Sequence, residues 1–197
     1  MTSPGMEALS FLINTLFDLY IMVVALRFLM QITRADYQNP LAQFVVKATN
    51  PLLIPLRRVV PGVGGYDIAA LVLCFLLILI KLFLFKGLGL SEFIGGMRMN
   101  MAYAATGQLF GIAVISLINL FFNVFLYAIV LLAILSWFNN GYNPVQSILY
   151  SITSPVLTPL RNIIPPVGGL DLSALAAIIL LQVGKILVVN SLAGLIV

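Results

Sequence analysis

The chain has no histidine, one cysteine and one tryptophan, and only 8% of its 197 residues are charged. Each shortage excludes something. Without histidine, the commonest general base and the commonest metal ligand are missing. The single cysteine, Cys74, permits neither an intrachain disulfide nor a cysteine metal site. It falls mid-way through an apolar run and is expected to serve packing alone. The formal charge of +4 comes from scattered basic residues. That gives nucleic-acid binding little support and fits a weak attraction to anionic lipid headgroups. No carboxylates cluster with metal-ligand spacing, no P-loop is present, and no nucleophile stands near a recognisable base. The GVGG and PVGG stretches follow prolines, whereas a dinucleotide fingerprint needs a strand before it and a helix carrying the third glycine. The expectation is therefore no catalytic residue, no cofactor and no metal.

What the chain does have is apolar length. Hydrophobic residues make up 62% of it and the mean hydropathy is +1.14, whereas a soluble domain carries about 25% charged residues. This is the composition of an all-α polytopic membrane protein with about four transmembrane helices. The N-terminal MTSPGME has no positive region, and the apolar stretch behind it contains Asp18 and Arg27. A signal peptide is a poor reading, and the first hydrophobic segment is expected to remain in the protein.

One segment is written twice. Residues 39–67 read NPLAQFVVKATNPLLIPLRRVVPGVGGYD and residues 143–171 read NPVQSILYSITSPVLTPLRNIIPPVGGLD, aligned without a gap. The frame pairs Pro51 with Pro155, Pro55 with Pro159, Arg57 with Arg161, Pro61 with Pro165, Gly64-Gly65 with Gly168-Gly169, and Asp67 with Asp171. Proline lacks a backbone donor and disfavours helix before it, so each P-x3-P-x5-P run reads as an extended, turning segment outside any span. Ahead of it, Asn39-Pro40 offers an N-cap followed by proline at the first helical position. Leu41, Phe44, Val45 and Ala48 then recur at helical spacing, as do Val145, Ile148, Leu149 and Ile152 in copy two. These predict two short amphipathic helices in the membrane interface.

The spans fall around these segments. Span one covers about residues 8–33, span two 68–85, and span four runs from 172 onward, with Asp67 and Asp171 as N-caps of spans two and four. Residues 102–138 read as one tilted span with an interfacial first part, with Gly107 and Gly111 allowing close helix contact. The linker 87–100 reads as a short loop rich in glycine and methionine. Extending the repeat upstream pairs Asn14 with Asn119, Asp18 with Asn123 and Tyr37 with Tyr142. Each unit is then span, interfacial helix, proline segment, span, with residues 1–97 and 98–197 as the two repeats of one membrane domain. An even number of spans per unit makes the copies parallel. Arg34, Lys47, Arg57, Arg58 and Arg161 place the repeated loops in the cytoplasm by the positive-inside rule. Trp137, Phe138, Tyr142 and Tyr37 cluster at span ends, where an aromatic belt is expected.

Charges inside spans need an explanation, and Asp18, Arg27, Lys81 and Lys185 are such charges. The first reading is that Lys81 and Lys185 snorkel to the outer interface on their long stems. The second pairs Lys81 with Asp18, which lies at nearly the same depth, although copy two keeps the lysine and has Asn123 in place of the acid. Arg57 and Arg161 stand ten residues before Asp67 and Asp171. A turn folding each guanidinium back onto its carboxylate would lock the segment beneath the bundle, and the alternative is a docking surface or an ion-binding mouth.

The motif P-L-x-P-[LI]-R-[RN]-x-[IV]-P…GG-x-D, present twice between spans, resembles the YGGT domains of the YggT/YlmG family, and the likeness covers nearly the whole chain. First-copy QIT and GGYDIAA depart from the SWF and GGLDLSALAA of copy two, so the halves need not be equivalent. The resemblance implies a bacterial inner-membrane protein of the two-copy Gram-negative form. Relatives are linked to osmotic stress and potassium uptake, to a neighbourhood of cell-division genes, and in plastids to haem attachment or nucleoid organisation. Those links share no reaction, and this chain offers no histidine or CxxCH for haem.

Two functions follow as expectations. The first is a non-enzymatic assembly or interaction factor in osmotic-stress or envelope homeostasis, with the two proline-arginine segments as its contact surface. The second is a small potassium transport or channel component whose path passes Asn14, Asp18, Asn119 and Asn123. A lipid-acting enzyme is a distant third. The expected partners are membrane lipids and other membrane proteins, and a homo-oligomer is compatible with either reading.

Overall fold

Apolar runs of 21 to 33 residues become four long helices in the computed structural model, which describes residues 4–62, 64–94, 96–138, 143–164 and 171–196. The elements are α1 (Pro4–Ile32), α2 (Pro40–Val59), α3 (Ile68–Leu88), β1 (Ser91–Ile94), β2 (Met97–Asn100), a 3-10 turn (Met101–Tyr103), α4 (Thr106–Phe138), α5 (Pro144–Ile163) and α6 (Leu172–Ile196). Helices α1, α3, α4 and α6 are long and apolar enough to cross a membrane. At 1.5 Å per residue, the 21 residues of α3 cover ~32 Å, about the thickness of a bilayer's hydrocarbon core.

The element order repeats: α1, α2, α3 and then α4, α5, α6. Within copy one α1 packs on α3 with α2 across both, and within copy two α4 packs on α6 with α5 across both. The copies meet through α3 and α4, α1 and α4, and α2 and α5. At the centre Val24, Ala25, Leu82, Ile112 and Ile129 are fully buried, and the Phe28 and Phe121 rings meet between the copies tilted at 59°, with centroids 5.7 Å apart. Cys74 is buried in this core and its thiol faces the Ile21 carbonyl at 3.9 Å. Lipid-side positions such as Phe11, Leu16, Leu180 and Leu187 stay outward and apolar. Helix α4 is one unbroken helix of 33 residues preceded by the 3-10 turn. Its Gly111 lies against α6, where an added Cβ would come within 2.6 Å of Ile196 Cδ1, while Gly107 has open space around it.

Two expectations fail here. The proline segments are not extended: Pro51 and Pro55 lie inside α2, and Pro155 and Pro159 inside α5, each a 20-residue helix. Proline normally costs a helix about 3 kcal/mol by removing a donor to the carbonyl four residues back. In both helices the two prolines are four apart and exposed, and of the carbonyls they free, that of Ser151 accepts from the Ser154 hydroxyl at 2.9 Å, while those toward the outer face can be bonded by water and headgroups. The opposite face carries Ala42, Val45, Thr49 and Leu53 as an uninterrupted buried stripe, and its packing outweighs the local loss. That stripe also corrects the expected one, since Phe44 is 61% exposed. In copy two Ile148, Leu149 and Ile152 are buried as expected, and Val145 is exposed. The second failure is the linker. Residues 91–100 form an antiparallel hairpin, Ser91 opposite Asn100 and Ile94 opposite Met97, with Gly96 at φ +83° in its turn.

Pro165, Gly168, Gly169 and Tyr142 lie outside the described residues, and Trp137 and Phe138 are described only as the end of α4.

Candidate functional site

The expected N-caps form. Asn39 Oδ1 accepts from the Leu41 N–H at 2.9 Å, and Asn143 Oδ1 accepts from Val145 N–H at 2.9 Å. Asp67 caps α3 through the Ala70 N–H, and Asp171 caps α6 through the Ser173 N–H at 3.1 Å. Asn39 does a second job: its Nδ2 donates to the Pro144 carbonyl at 2.7 Å, tying the start of α2 to the start of α5. The two interfacial helices therefore form one platform across one end of the bundle.

The same end carries both ion pairs expected from the ten-residue spacing. Arg57 pairs with Asp67, and Arg161 pairs with Asp171 through Nε at 2.9 Å and a terminal nitrogen at 2.7 Å. They are not equivalent, because the Asp67 side chain is 4% exposed and that of Asp171 40%. Burial alone would raise the Asp171 carboxyl, but hydrogen bonds from Ser173 and Arg161 hold it below the usual carboxylate range. Pro61 follows α2 as an exposed residue, and the turn behind it uses Gly64 and Gly65 at φ +62° and +82°, a region that favours glycine. Gln31 Nε2 holds that turn by donating to the Gly65 carbonyl at 3.1 Å.

Arg27 belongs to this platform too. Its side chain leaves α1 and donates to the Val46 carbonyl at 3.0 Å, Thr49 Oγ1 at 2.5 Å and Asn50 Oδ1 at 2.8 Å, all on α2. Tyr20 adds a hydroxyl donor to the Ala48 carbonyl at 3.3 Å. These bonds fall just upstream of Pro51, where the helix ladder has lost a donor. Copy two has Leu132 at the position of Arg27, so α5 is held by apolar contact instead.

The opposite end holds the intramembrane polar residues. Lys81 does not snorkel: it is 6% exposed and donates to Asp18 at 2.9 Å, Asn14 at 3.2 Å and Glu92 at 3.4 Å. Lys185 donates to Asn123 at 2.7 Å, so copy two keeps the lysine's partner position with an amide in place of the acid. Both lysines stand 13 residues past the first residue of their helix (81 − 68 and 185 − 172). That places them ~20 Å along it. Asp18, Lys81, Glu92, Ser116, Asn119 and Asn123 line a cavity of about 190 Å³ between the copies.

Glu92 is the member that sequence reasoning missed. It sits on β1, which packs against α3, α4 and α6 at the end of the bundle. Burial raises its carboxyl above the usual range although Lys81 pulls it down, and Asp18 pushes it further up. One of its oxygens, Oε2, is buried with no hydrogen-bond partner among the described residues. The available signal was a lone acid in an otherwise apolar and glycine-rich linker eleven residues after Lys81.

The chain thus builds one unit twice, in parallel, with the same cap, ion pair and lysine in each copy. The CCB3/YggT family model matches it twice as well, at residues 6–88 and 111–192. The chain belongs to this family. It is 41% identical over 182 residues to an uncharacterized Vibrio alginolyticus protein encoded in the proC 3' region, covering 92% of this chain and 94% of that one. It is 42% identical over 185 residues to an uncharacterized Pseudomonas aeruginosa protein, covering 93% and 89%. It is 35% identical over 179 residues to the uncharacterized protein YggT of Escherichia coli K12, covering 90% and 87%. No solved structure matches the chain.

In this CCB3/YggT family member the first matched segment ends at Leu88, the last residue of α3, and the second begins within α4. The hairpin and Glu92 lie between the matched segments, so of the two carboxylates on Lys81 one, Asp18, comes from within the first matched segment and the other from outside it. Among the described residues no group of three or more histidine, cysteine, aspartate or glutamate side chains is placed to hold a metal ion.

Proposed function

We propose that this multi-pass membrane protein resides in the bacterial inner membrane and is a non-enzymatic factor that binds or helps assemble other membrane proteins, acting in osmotic-stress or envelope homeostasis. The α2–α5 platform is its contact surface and faces the cytoplasm. The observation that carries this reading is the bond from Asn39 to the Pro144 carbonyl, which joins two proline-bearing amphipathic helices into one surface. Each helix is braced at its far end by an arginine–aspartate pair. The outer face presents Leu52, Ile54 and Val59 beside Lys47 and Arg58, which have no acidic partner among the described residues. That chemistry suits an acidic juxtamembrane segment of another membrane protein, and the excess of cations on this side fits the positive-inside rule.

Photo-crosslinking in intact cells from positions 52 and 59, with buried position 82 as control, tests the reading. Discrete protein adducts that disappear in a Lys47→Glu, Arg58→Glu variant of normal abundance are the expected outcome. Lipid adducts alone, or adducts indifferent to the charge reversal, would overturn it.

The transport reading has one observation in its favour, the polar cavity holding Asp18, Asn119 and Asn123 at the depth of the lysines. Weighing against potassium there, the Asn14, Asp18 and Asn123 oxygens already each accept a lysine ammonium, and Lys81 itself occupies the wall beside the two carboxylates. Potassium flux into proteoliposomes, compared between wild type and an Asp18→Asn, Asn119→Ala variant, separates the readings. The assembly reading expects no flux in either, and flux that vanishes in the variant would establish transport.

A further inference from the structure

The two repeats treat the same intramembrane lysine differently. Lys81 faces two carboxylates, Asp18 at 2.9 Å and Glu92 at 3.4 Å. Lys185 has no carboxylate within 4.0 Å among the described residues, and its hydrogen bond goes to the neutral Asn123 at 2.7 Å. A positive charge ~20 Å along a spanning helix is costly without a counter-charge. Beside it lies a second cavity of about 330 Å³, whose polar lining comes from Lys185, Asn119 and Asn190 and whose apolar walls are Phe93, Ile186 and Val189.

The chemistry of that lining selects its ligand. The ammonium excludes a metal cation, and the Asn123 carbonyl is already taken by Lys185. Lys185 and the amides of Asn119 and Asn190 together supply charged and neutral N–H donors, the set that an oxyanion takes. The volume leaves room for the anion and residual water. Ile186, on the rim, is 48% exposed and continues into the outward apolar surface of Val183 and Leu187, so the cavity borders the lipid. We propose that the Lys185 cavity is a phosphate-binding site, with Lys185 as the counter-charge and Asn119 and Asn190 as neutral donors, filled by a lipid headgroup or by free phosphate. Copy one cannot bind the same group, because Asp18 and Glu92 present negative charge beside its lysine. The site is independent of the α2–α5 platform, which lies at the other end of the bundle.

Native mass spectrometry of the purified full chain in a neutral detergent tests this with two probes, phosphatidylglycerol and inorganic phosphate. Wild type and Lys185→Arg are expected to retain one phosphatidylglycerol or one phosphate. Lys185→Met is expected to bind the same probe at least tenfold more weakly. Retention of the lipid without competition from millimolar phosphate identifies the headgroup as the source, and protection by phosphate alone identifies the free ion. Should Lys185→Met fail to fold, Asn190→Ala, altered at an exposed position of α6, reads the same question through a severalfold loss of binding. Equal retention by wild type and the folded variant, or no specific retention of either probe by wild type, would overturn the proposal.

Discussion

Lys81→Met is the substitution whose effect the structure determines most closely. The lysine side chain is 7% exposed, that of Glu92 14% and that of Asp18 56%. Removing the ammonium strands the Glu92 carboxylate, which already has one unpartnered buried oxygen, and breaking a buried pair from one side costs about 3–5 kcal/mol. Asp18 is more than half exposed, so Asp18→Asn is expected to cost at most ~1 kcal/mol. In Lys81→Met/Glu92→Gln the stranded charge is gone, and more than half of the loss should return. Reversible unfolding in mixed dodecyl sulfate micelles, followed by far-ultraviolet circular dichroism, measures all of these. A Lys81→Met protein within about 1 kcal/mol of wild type, or a double variant no more stable than the single one, would refute the reasoning.

The pH dependence gives the same experiment a second axis. Glu92 has a folded value raised by burial, so the folded state holds its proton to higher pH than the unfolded chain does. Stability should therefore decline as pH climbs from the ordinary carboxylate range through the folded value, and level off above it. Glu92→Gln should flatten that decline. In Lys81→Met the downward pull on Glu92 is lost, and the defect should shrink as pH is lowered.

Three further expectations follow from the same geometry. Arg57→Ala strands a buried Asp67 and should cost about 2 kcal/mol after allowing for the exposure of Arg57, whereas Arg161→Ala should cost ~0–1 kcal/mol, measured by the same unfolding assay. Asn39→Ala removes a cap and the bond to Pro144 and should cost about 2 kcal/mol, against ~1 kcal/mol for the cap alone in Asn143→Ala; equal losses would deny the inter-copy bond its role. Gly107→Ala should stabilise α4 by about 0.5–1 kcal/mol because its surroundings are open. Gly111→Ala should gain less than that, until Ile196→Ala removes the side chain it meets.

Much of the candidate site could be read from spacing. The ten residues between arginine and aspartate matched two folded-back ion pairs, and the second of the two readings of Lys81 matched Asp18 as its partner, whereas Asn123, which counted against pairing in the sequence, proves to be the acceptor for Lys185. Snorkelling failed for Lys81 because acceptors from α1 and β1 surround it, and a buried partner is invisible to a rule about one helix alone. Arg27 could be recognised as a problem but not solved, since its acceptors lie on α2, 19 to 23 residues away. The prolines misled because their local cost is readable in sequence, while the offsetting burial of Ala42, Val45, Thr49 and Leu53 depends on the helix meeting α1 and α3.

The sequence by itself determined the architecture. Four apolar runs of spanning length and a duplicated cap–proline–arginine–aspartate segment admit little besides a parallel pair of membrane repeats, because lipid satisfies no backbone group that the chain leaves open. Tertiary structure alone decided where the charges rest. Which carboxylates neutralise Lys81 depends on side chains up to 63 residues apart meeting in a low-dielectric space. There the hairpin gives Lys81 a second acid and leaves Lys185 without one among the described residues, since attraction between charges depends on distance in space and not on position along the chain.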